Sequence, residues 1–541
     1  MTAVAARVPP VARHGRSRPL AGTGALLRFA LRRDRLVIPL WVLLIGLTVL
    51  SMPNALESVY ATPADRAQVA RQMLANSSLR ATYGPVFGDS LGTLVAWRFG
   101  VYGGVFAGVM SLLIVVRHTR DEEEGGRQEL VSSAMVGRRA PLTAALLTAF
   151  TANAALALLI AVGLAGQGAP GALAFGLAIG GAGMVFATMA AIAAQFTESA
   201  RLAKGLTGGL LGAAFVLRAA GDAATDDGSS VLTWLSPLGW LENVRAFADE
   251  RWWVLLLFLA AAALQGLAAY ELAGRRDLGM SFLPTRPGPA EGRIRTAAGL
   301  AWRLQRGGVF GWGLGFLAAG AAFGAITKGA ADLVGDNERT REMIERMGGQ
   351  SGITDAFLAT MTGMLGMVAA LYAVASVERL HGEETSGRAE PVLANAVGRL
   401  RWAAGHLVVA FAGSALLMLL GGLGLGAGYG HGDAFGSVLA GCLVQLPAIW
   451  LIAALAVLLH GLSPQLAPAA WAAAGAALVL GWIGPALDAP QAVLDVSPFT
   501  HLPKLPGGDM NWPPVLALTA VAVALTVLGL AGLRRRDMTT T

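Results

Sequence analysis

The sequence predicts an all-α, polytopic membrane protein with twelve transmembrane helices in two parallel six-helix repeats. Three observations carry that prediction. Of 541 residues, 55% are apolar and only 14% are charged, whereas soluble globular chains carry about 25% charged residues. Twelve apolar windows approach or exceed the roughly 20 residues a helix needs to cross a bilayer. A charged segment also recurs at one fixed offset, the mark of an internal duplication.

Taken in order, residues 1–35 form an arm that holds Arg7, Arg13, Arg16, Arg18, Arg28, Arg32, Arg33 and Arg35 ahead of or beside the start of the first apolar run. So long a basic stretch suits a retained anchor helix and a cytoplasmic N-terminus better than a cleaved secretory signal. The first half, residues 36–274, has apolar windows at 36–53, 99–116, 141–165, 172–195, 205–220 and 252–272. After the first window, Thr62-Pro63-Ala64-Asp65 reads as an N-cap, a proline at the first helical position and an acidic third position, opening a short helix. Residues 275–308, with Pro284, Pro287, Gly288 and Pro289 beside Arg286, Arg293 and Arg295, cannot bury a core and read as a linker. The second half, residues 309–534, has windows at 309–327, 357–377, 403–428, 434–459, 468–485 and 514–533, and residues 335–347 predict a counterpart of the helix after Thr62. Residues 535–541 form a tail.

The net charge of +7 comes almost wholly from arginine. Most of these residues fall in the arm, the 117–140 loop and the linker, so the positive-inside rule places all three, with both termini, in the cytoplasm of a bacterial cell (inner) membrane. Six spans per half bring each half back to the side it left, which predicts parallel rather than inverted repeats. Cys442 is the one cysteine, so no intrachain disulfide forms. No basic and aromatic interleaved motif points to nucleic acid.

The repeat is legible residue by residue. At an offset of 261, Glu122-Glu123-Glu124-Gly125-Gly126-Arg127-Gln128-Glu129 meets Glu383-Glu384-Thr385-Ser386-Gly387-Arg388-Ala389-Glu390, and 9 of the 17 positions from 122 to 138 are identical. The same offset sets Ser236-Pro237 on Ser497-Pro498, and Arg275-Arg276-Asp277 meets Arg535-Arg536-Asp537 one residue off.

Several chemistries lack their residues. There is no Gly-x-x-x-x-Gly-Lys-Ser/Thr phosphate cradle, no His-Glu-x-x-His and no Gly-x-Ser-x-Gly, so no catalytic site, metal site or cofactor is expected in this chain. Ion-driven transporters usually load the ion on mid-membrane carboxylates or histidines. The polar residues at span centres are instead Asn153, Gln265, His406 and Gln445, the candidates for lining a translocation path, with interhelical hydrogen bonding as the plainer role. One acidic loop alone reads as a solvated charged face. Occurring twice, Glu122, Glu123, Gly126, Arg127 and Glu129 with Glu383, Glu384, Gly387, Arg388 and Glu390 read as a contact surface for a two-fold cytoplasmic partner.

The strings Arg117-His118-Thr119-Arg120-Asp121-Glu122-Glu123-Glu124-Gly125-Gly126-Arg127, Gly137-Arg138-Arg139-Ala140-Pro141 and Leu235-Ser236-Pro237-Leu238-Gly239-Trp240, with Asn243-Val244-Arg245, resemble ABC-2-type permease subunits of ATP-binding-cassette exporters. The likeness is to the fused actinobacterial type, polyketide-antibiotic or tetronasin-resistance exporters of the type V exporter-like fold. It implies coupling helices at 121–130 and 382–391, docked on two copies of a separate cytoplasmic ATPase that holds the ATP and Mg. It also implies amphipathic helices before the first span of each half, at 26–35 and 300–306, and outer gates at Ser236-Pro237 and Ser497-Pro498. Substrates implied are amphipathic drugs or polyketides. The second copy departs from the first at Thr385-Ser386 and at Leu502-Pro503-Lys504-Leu505-Pro506, so unequal loops and gates are expected. The alternative is a proton-coupled drug exporter of the major-facilitator type, whose loop after the second span is usually basic where this one is acidic.

Overall fold

The computed structural model describes residues 19–132, 136–277, 279–283, 292, 294–327, 353–430, 432–482 and 490–538. The expected helix at 335–347 and residues 284–291, which hold the linker's prolines, lie outside them. Among the described residues all regular structure is helical, and twelve helices are long and apolar enough to cross a membrane. The chain forms two compact units, Met1–Pro287 and Gly288–Thr541, with six such helices in each.

In the first unit, α1 (Thr23–Arg33) precedes the first span, α2 (Val37–Val59). Asp34 breaks them apart. Its buried carboxylate meets Arg117 at 3.2 Å and His118 at 2.7 Å, which fixes the chain where a continuous helix would otherwise run. Next, α3 (Pro63–Ala75) opens as its sequence predicts, with Thr62 and Asp65 closing a reciprocal capping box. It is followed by α4 (Ser77–Tyr83) and the second span, α5 (Leu91–Arg117). The loop then forms α6 (Arg120–Glu124) and α7 (Arg127–Ser132), joined through Gly126 at φ 68°. Spans α8 (Ala140–Gly163), α9 (Ala169–Phe196) and α10 (Ala200–Ala224) follow, then α11 (Val231–Trp234), α12 (Pro237–Asn243) and the sixth span, α13 (Leu255–Arg275).

Spans α5 and α9 form the inner pair, each 72% buried over its most apolar window against 28% for α2. Small residues let them approach: a Cβ on Gly103 would lie 2.9 Å from Ile179 of α9, and one on Gly108 would lie 2.9 Å from Phe186 of the same helix. Helices in lipid lack a hydrophobic drive to associate, so such close contact supplies the attraction.

In the second unit, α14 (Ala297–Thr327) runs unbroken for 31 residues. The 300–306 segment is therefore the first part of the span rather than a separate helix, since no residue there takes the role of Asp34. Then come α15 (Ile353–Thr385), α16 (Glu390–Leu393) and α17 (Arg399–Tyr429). The window at 434–459 divides into α18 (Phe435–Leu443) and α19 (Leu446–Leu462), because Pro447 has no N–H to continue the helical ladder. Spans α20 (Ala469–Trp482) and α21 (Trp512–Arg535) complete the unit.

Candidate functional site

The acidic run at the end of α5 lies at the junction of several helices. Each carboxylate has its own partner. Asp121 meets Lys204 of α10 at 2.8 Å, and Glu124 accepts the Ala200 backbone N–H at 2.9 Å, at the N-terminus of that helix. Glu122 pairs with Arg33 of α1 and takes two bonds from Arg127, at 2.9 and 3.1 Å. Glu123 receives a two-pronged bond from Arg276, at 2.8 and 2.6 Å, and a third from Arg120 at 2.6 Å. Two nitrogens of Arg120 also reach the Ala194 carbonyl at the end of α9. The loop is thereby tied to α1, α9, α10 and the end of α13 at once.

The second loop repeats the core of this network. Glu384 takes two bonds of 2.6 Å from Arg536, just past α21, as Glu123 does from Arg276. Glu383 pairs with Arg388 at 3.2 Å, as Glu122 does with Arg127, and with Arg379 at 3.0 Å. Arg399 donates to the Arg536 carbonyl at 2.6 Å, as Arg138 donates to that of Arg276 at 2.7 Å. Gly387 repeats the positive φ of Gly126, at 69°.

Burial sorts the ten loop residues read as a contact surface. The side chains of Glu123, Glu383 and Glu384 are 6%, 6% and 1% exposed, and are turned into the fold rather than toward a partner. Gly126, Arg127 and Glu129 in the first loop, and Arg388 and Glu390 in the second, are exposed; Glu122 and Gly387 are intermediate. Leu130, which sequence reasoning passed over, is 76% exposed on α7.

Three of the four mid-span polar residues bond to a neighbouring helix. Asn153 donates to Ser111 at 2.8 Å and Gln265 accepts from Thr188 at 2.7 Å. Gln305 lies 3.0 Å from the His406 ring and takes a bond from Ser376, linking α17, α14 and α15. Gln445 stands at the break between α18 and α19, its amide 3.5 Å from the Gly441 carbonyl. Asn153→Ala is accordingly expected to cost about 1 kcal/mol of stability and to leave efflux largely intact. Lost efflux at unchanged thermal stability would count against this structural role.

On the opposite face, both Ser-Pro pairs fasten their segment to the span before it. Ser236 donates to Ala214 at 2.7 Å and caps α12, where Pro237 is the first residue; Ser497 donates to Ala477 at 3.1 Å, and Pro498 opens a short turn. The sequence reading missed a cluster beneath the first pair. Arg218 and Asp222, both fully buried, meet Glu242 of α12. A charge inside the apolar 205–220 window, with an acid four residues on, was the signal for it.

Residues 294–534 match the family described as multidrug efflux system permease Rv1217c, C-terminal domain. Over 527 residues, 96% of this chain and 95% of the relative, the sequence is 45% identical to the multidrug efflux system permease protein Rv1217c of Mycobacterium tuberculosis. The chain belongs to this multidrug efflux permease family. The match over both units sets the duplicated loops and both Ser-Pro segments within the shared permease architecture.

Proposed function

We propose that this chain is the membrane-spanning subunit of an ATP-driven pump in a bacterial cell membrane, exporting drugs or polyketide-like amphipathic compounds. Both termini and both loops lie in the cytoplasm, where each loop docks on one of two copies of an ABC ATPase that carries the ATP and Mg. The duplicated loop network carries this reading. Each loop is clamped to the end of its sixth span by a two-pronged carboxylate–guanidinium pair, a geometry that adds specificity as well as strength. Displacing a loop therefore moves span ends with it. ATP-driven movement at two such points becomes rigid-body motion of helices, and the Ser-Pro segments on the outer face release the substrate. The kinship with a permease of a multidrug efflux system supports the substrate class.

The docking surface is the exposed rim of each loop, and the test uses it. Arg127 and Arg388 are 52% and 59% exposed, so Arg127→Gln with Arg388→Gln is expected to cost no more than about 1 kcal/mol of stability at each site. The pair of changes should cut co-purification of a vanadate-sensitive ATPase about tenfold. If the unmodified chain purifies alone, and efflux collapses with a protonophore while ATP is maintained, the reading fails.

A further inference from the structure

At the outer end of the first unit, one guanidinium faces two carboxyl groups that are almost wholly buried. Arg218 and Asp222 are 0% exposed and the Glu242 side chain 6%. Arg218 Nη1 lies 3.3 Å from Asp222 and 3.2 Å from Glu242, while Nη2 donates to the Thr82 carbonyl at 3.3 Å. Thr233 of α11 donates to the other Asp222 oxygen at 2.7 Å. Glu242 Oε2 is buried with no hydrogen-bond partner among the described residues, and the same Arg218 nitrogen stands between the two carboxyl groups.

Two charged carboxylates against one guanidinium would leave a net negative charge buried, which a low-dielectric site strongly disfavours. Burial pushes the Glu242 carboxyl well above the usual carboxylate range, further than Arg218 draws it down.

The other charged groups nearby are engaged elsewhere. Arg80 of α4 donates to the carbonyls of Leu74, Asp222, Ala223 and Thr225. Arg98 of α5 lies over the Tyr83 ring at 4.4 Å; Arg245, beyond α12, lies over Phe87 at 4.3 Å and pairs with Asp249. Tyr83 and Tyr102 complete the titratable neighbours. Gly84, at φ 91°, closes the site from α4: a Cβ there would lie 2.4 Å from Glu242 Oε1.

We propose that Asp222 and Glu242 form a proton-binding carboxyl pair, loaded while α12 is seated on α10 and discharged to the outside when α12 lifts away. The discharge rests on the Ser236–Pro237 segment being the outer closure of an exporter; the loaded pair does not. The carboxyl O–H bond breaks, the proton goes to external water, and the electron pair stays on the carboxylate. At the 261 offset the second half has Val479, Ile483 and Pro503 in sequence, so the pair is not repeated at the corresponding positions.

The sign follows from linkage. An open Glu242 carboxyl titrates near the ordinary value of about 4 and the seated one well above it, so between the two the seated state holds one more proton. In that window each unit rise in external pH shifts the balance up to tenfold toward the open form.

Infrared difference spectra of the full chain in lipid nanodiscs test the loaded pair without any transport. A protonated-carboxyl band is expected at pH 7 and should vanish in both Glu242→Gln and Asp222→Asn, because either leaves one carboxylate facing Arg218 one to one. Its absence from the wild type, or its persistence in both variants, overturns the proposal. Discharge is read by labelling Leu238→Cys, which is buried on α12, with an impermeant maleimide. Normalising to the exposed Leu235→Cys cancels the thiol's own titration. The normalised rate should climb with external pH, by up to tenfold per unit, and be flat when Glu242→Gln is added. A flat profile in the unaltered pair overturns discharge while leaving the infrared result, and the exporter reading, to stand or fall separately.

Discussion

Gly424→Val is expected to abolish stable folding of the second unit, the largest effect of any single substitution in a span. A Cβ at Gly424 would lie 2.2 Å from the Leu317 carbonyl oxygen and 2.9 Å from the Ala321 nitrogen. The contact is reciprocal. A Cβ on Gly320 or Gly324 of α14 would lie 2.2 Å from the Gly421 carbonyl oxygen or 2.1 Å from that of Leu425, and one on Gly428 would lie 2.1 Å from that of Ala321. Both helices carry the Gly-x-x-x-Gly spacing that sets two glycines on one face. Every opposing atom is backbone, so no side chain can turn aside, and α14 and α17 must separate along their contact. Overpacking ordinarily costs about 1–3 kcal/mol, and a backbone contact with no local escape belongs at or above the top of that range. Size-exclusion profiles and thermal unfolding of the detergent-solubilised chain check it, with Gly315→Val as the control. Gly315 is on the same helix as Gly320, and a Cβ there would meet nothing within 4 Å, so this variant should stay monodisperse. A monodisperse Gly424→Val chain with wild-type stability would contradict this account of the interface.

That interface was only partly legible in sequence. Glycine-rich spans announce close packing, but glycine has no side chain to show which helix it meets. Span number and the repeat were readable, because twenty apolar residues suit few other structures and an offset of 261 preserves charged strings. The Thr62 cap was readable because its bonds stay within three residues. The direction of each acid in the loops was not. Asp121, Glu122, Glu123 and Glu124 are consecutive, so no periodicity assigns them faces, and their partners Lys204, Arg33, Arg276 and Ala200 are 83, 89, 153 and 76 residues away. Span α10 hid its charges in a similar way. Arg218 and Asp222 lower its apolarity, and the Glu242 that joins them comes from a helix beyond it. Repetition of the acidic run marked a place that matters, but its inward residues hold the loop in position and leave its rim for contact.

Glu123→Ala is expected to destabilise the chain by about 3–5 kcal/mol, the usual cost of breaking a buried ion pair from one side, and to stop efflux. Glu123 stands between two guanidiniums: Arg276, 10% exposed, and Arg120, 1% exposed. Removing it leaves two like charges facing each other, with the Ala194, Met280, Asp277 and Gln195 oxygens as acceptors. Glu384→Ala should cost less. It strands a single guanidinium, Arg536, which is 13% exposed and has the His460 ring nitrogen at 3.4 Å and the Asp537 carbonyl at 3.2 Å. Arg127→Ala breaks a half-exposed pair and should fall within about 1 kcal/mol. Thermal unfolding of the three variants gives the order directly. Reversing the pair, Glu384→Arg with Arg536→Glu, should recover part of the loss, whereas either change alone leaves like charges in one buried site. Coupling requires more than stability. If the clamps transmit motion from loop to sixth span, the reversed pair should regain efflux in step with its recovered stability. A reversed pair that folds as the wild type does, yet stays inactive with its ATPase bound, would show that the carboxylate must stand on the loop side.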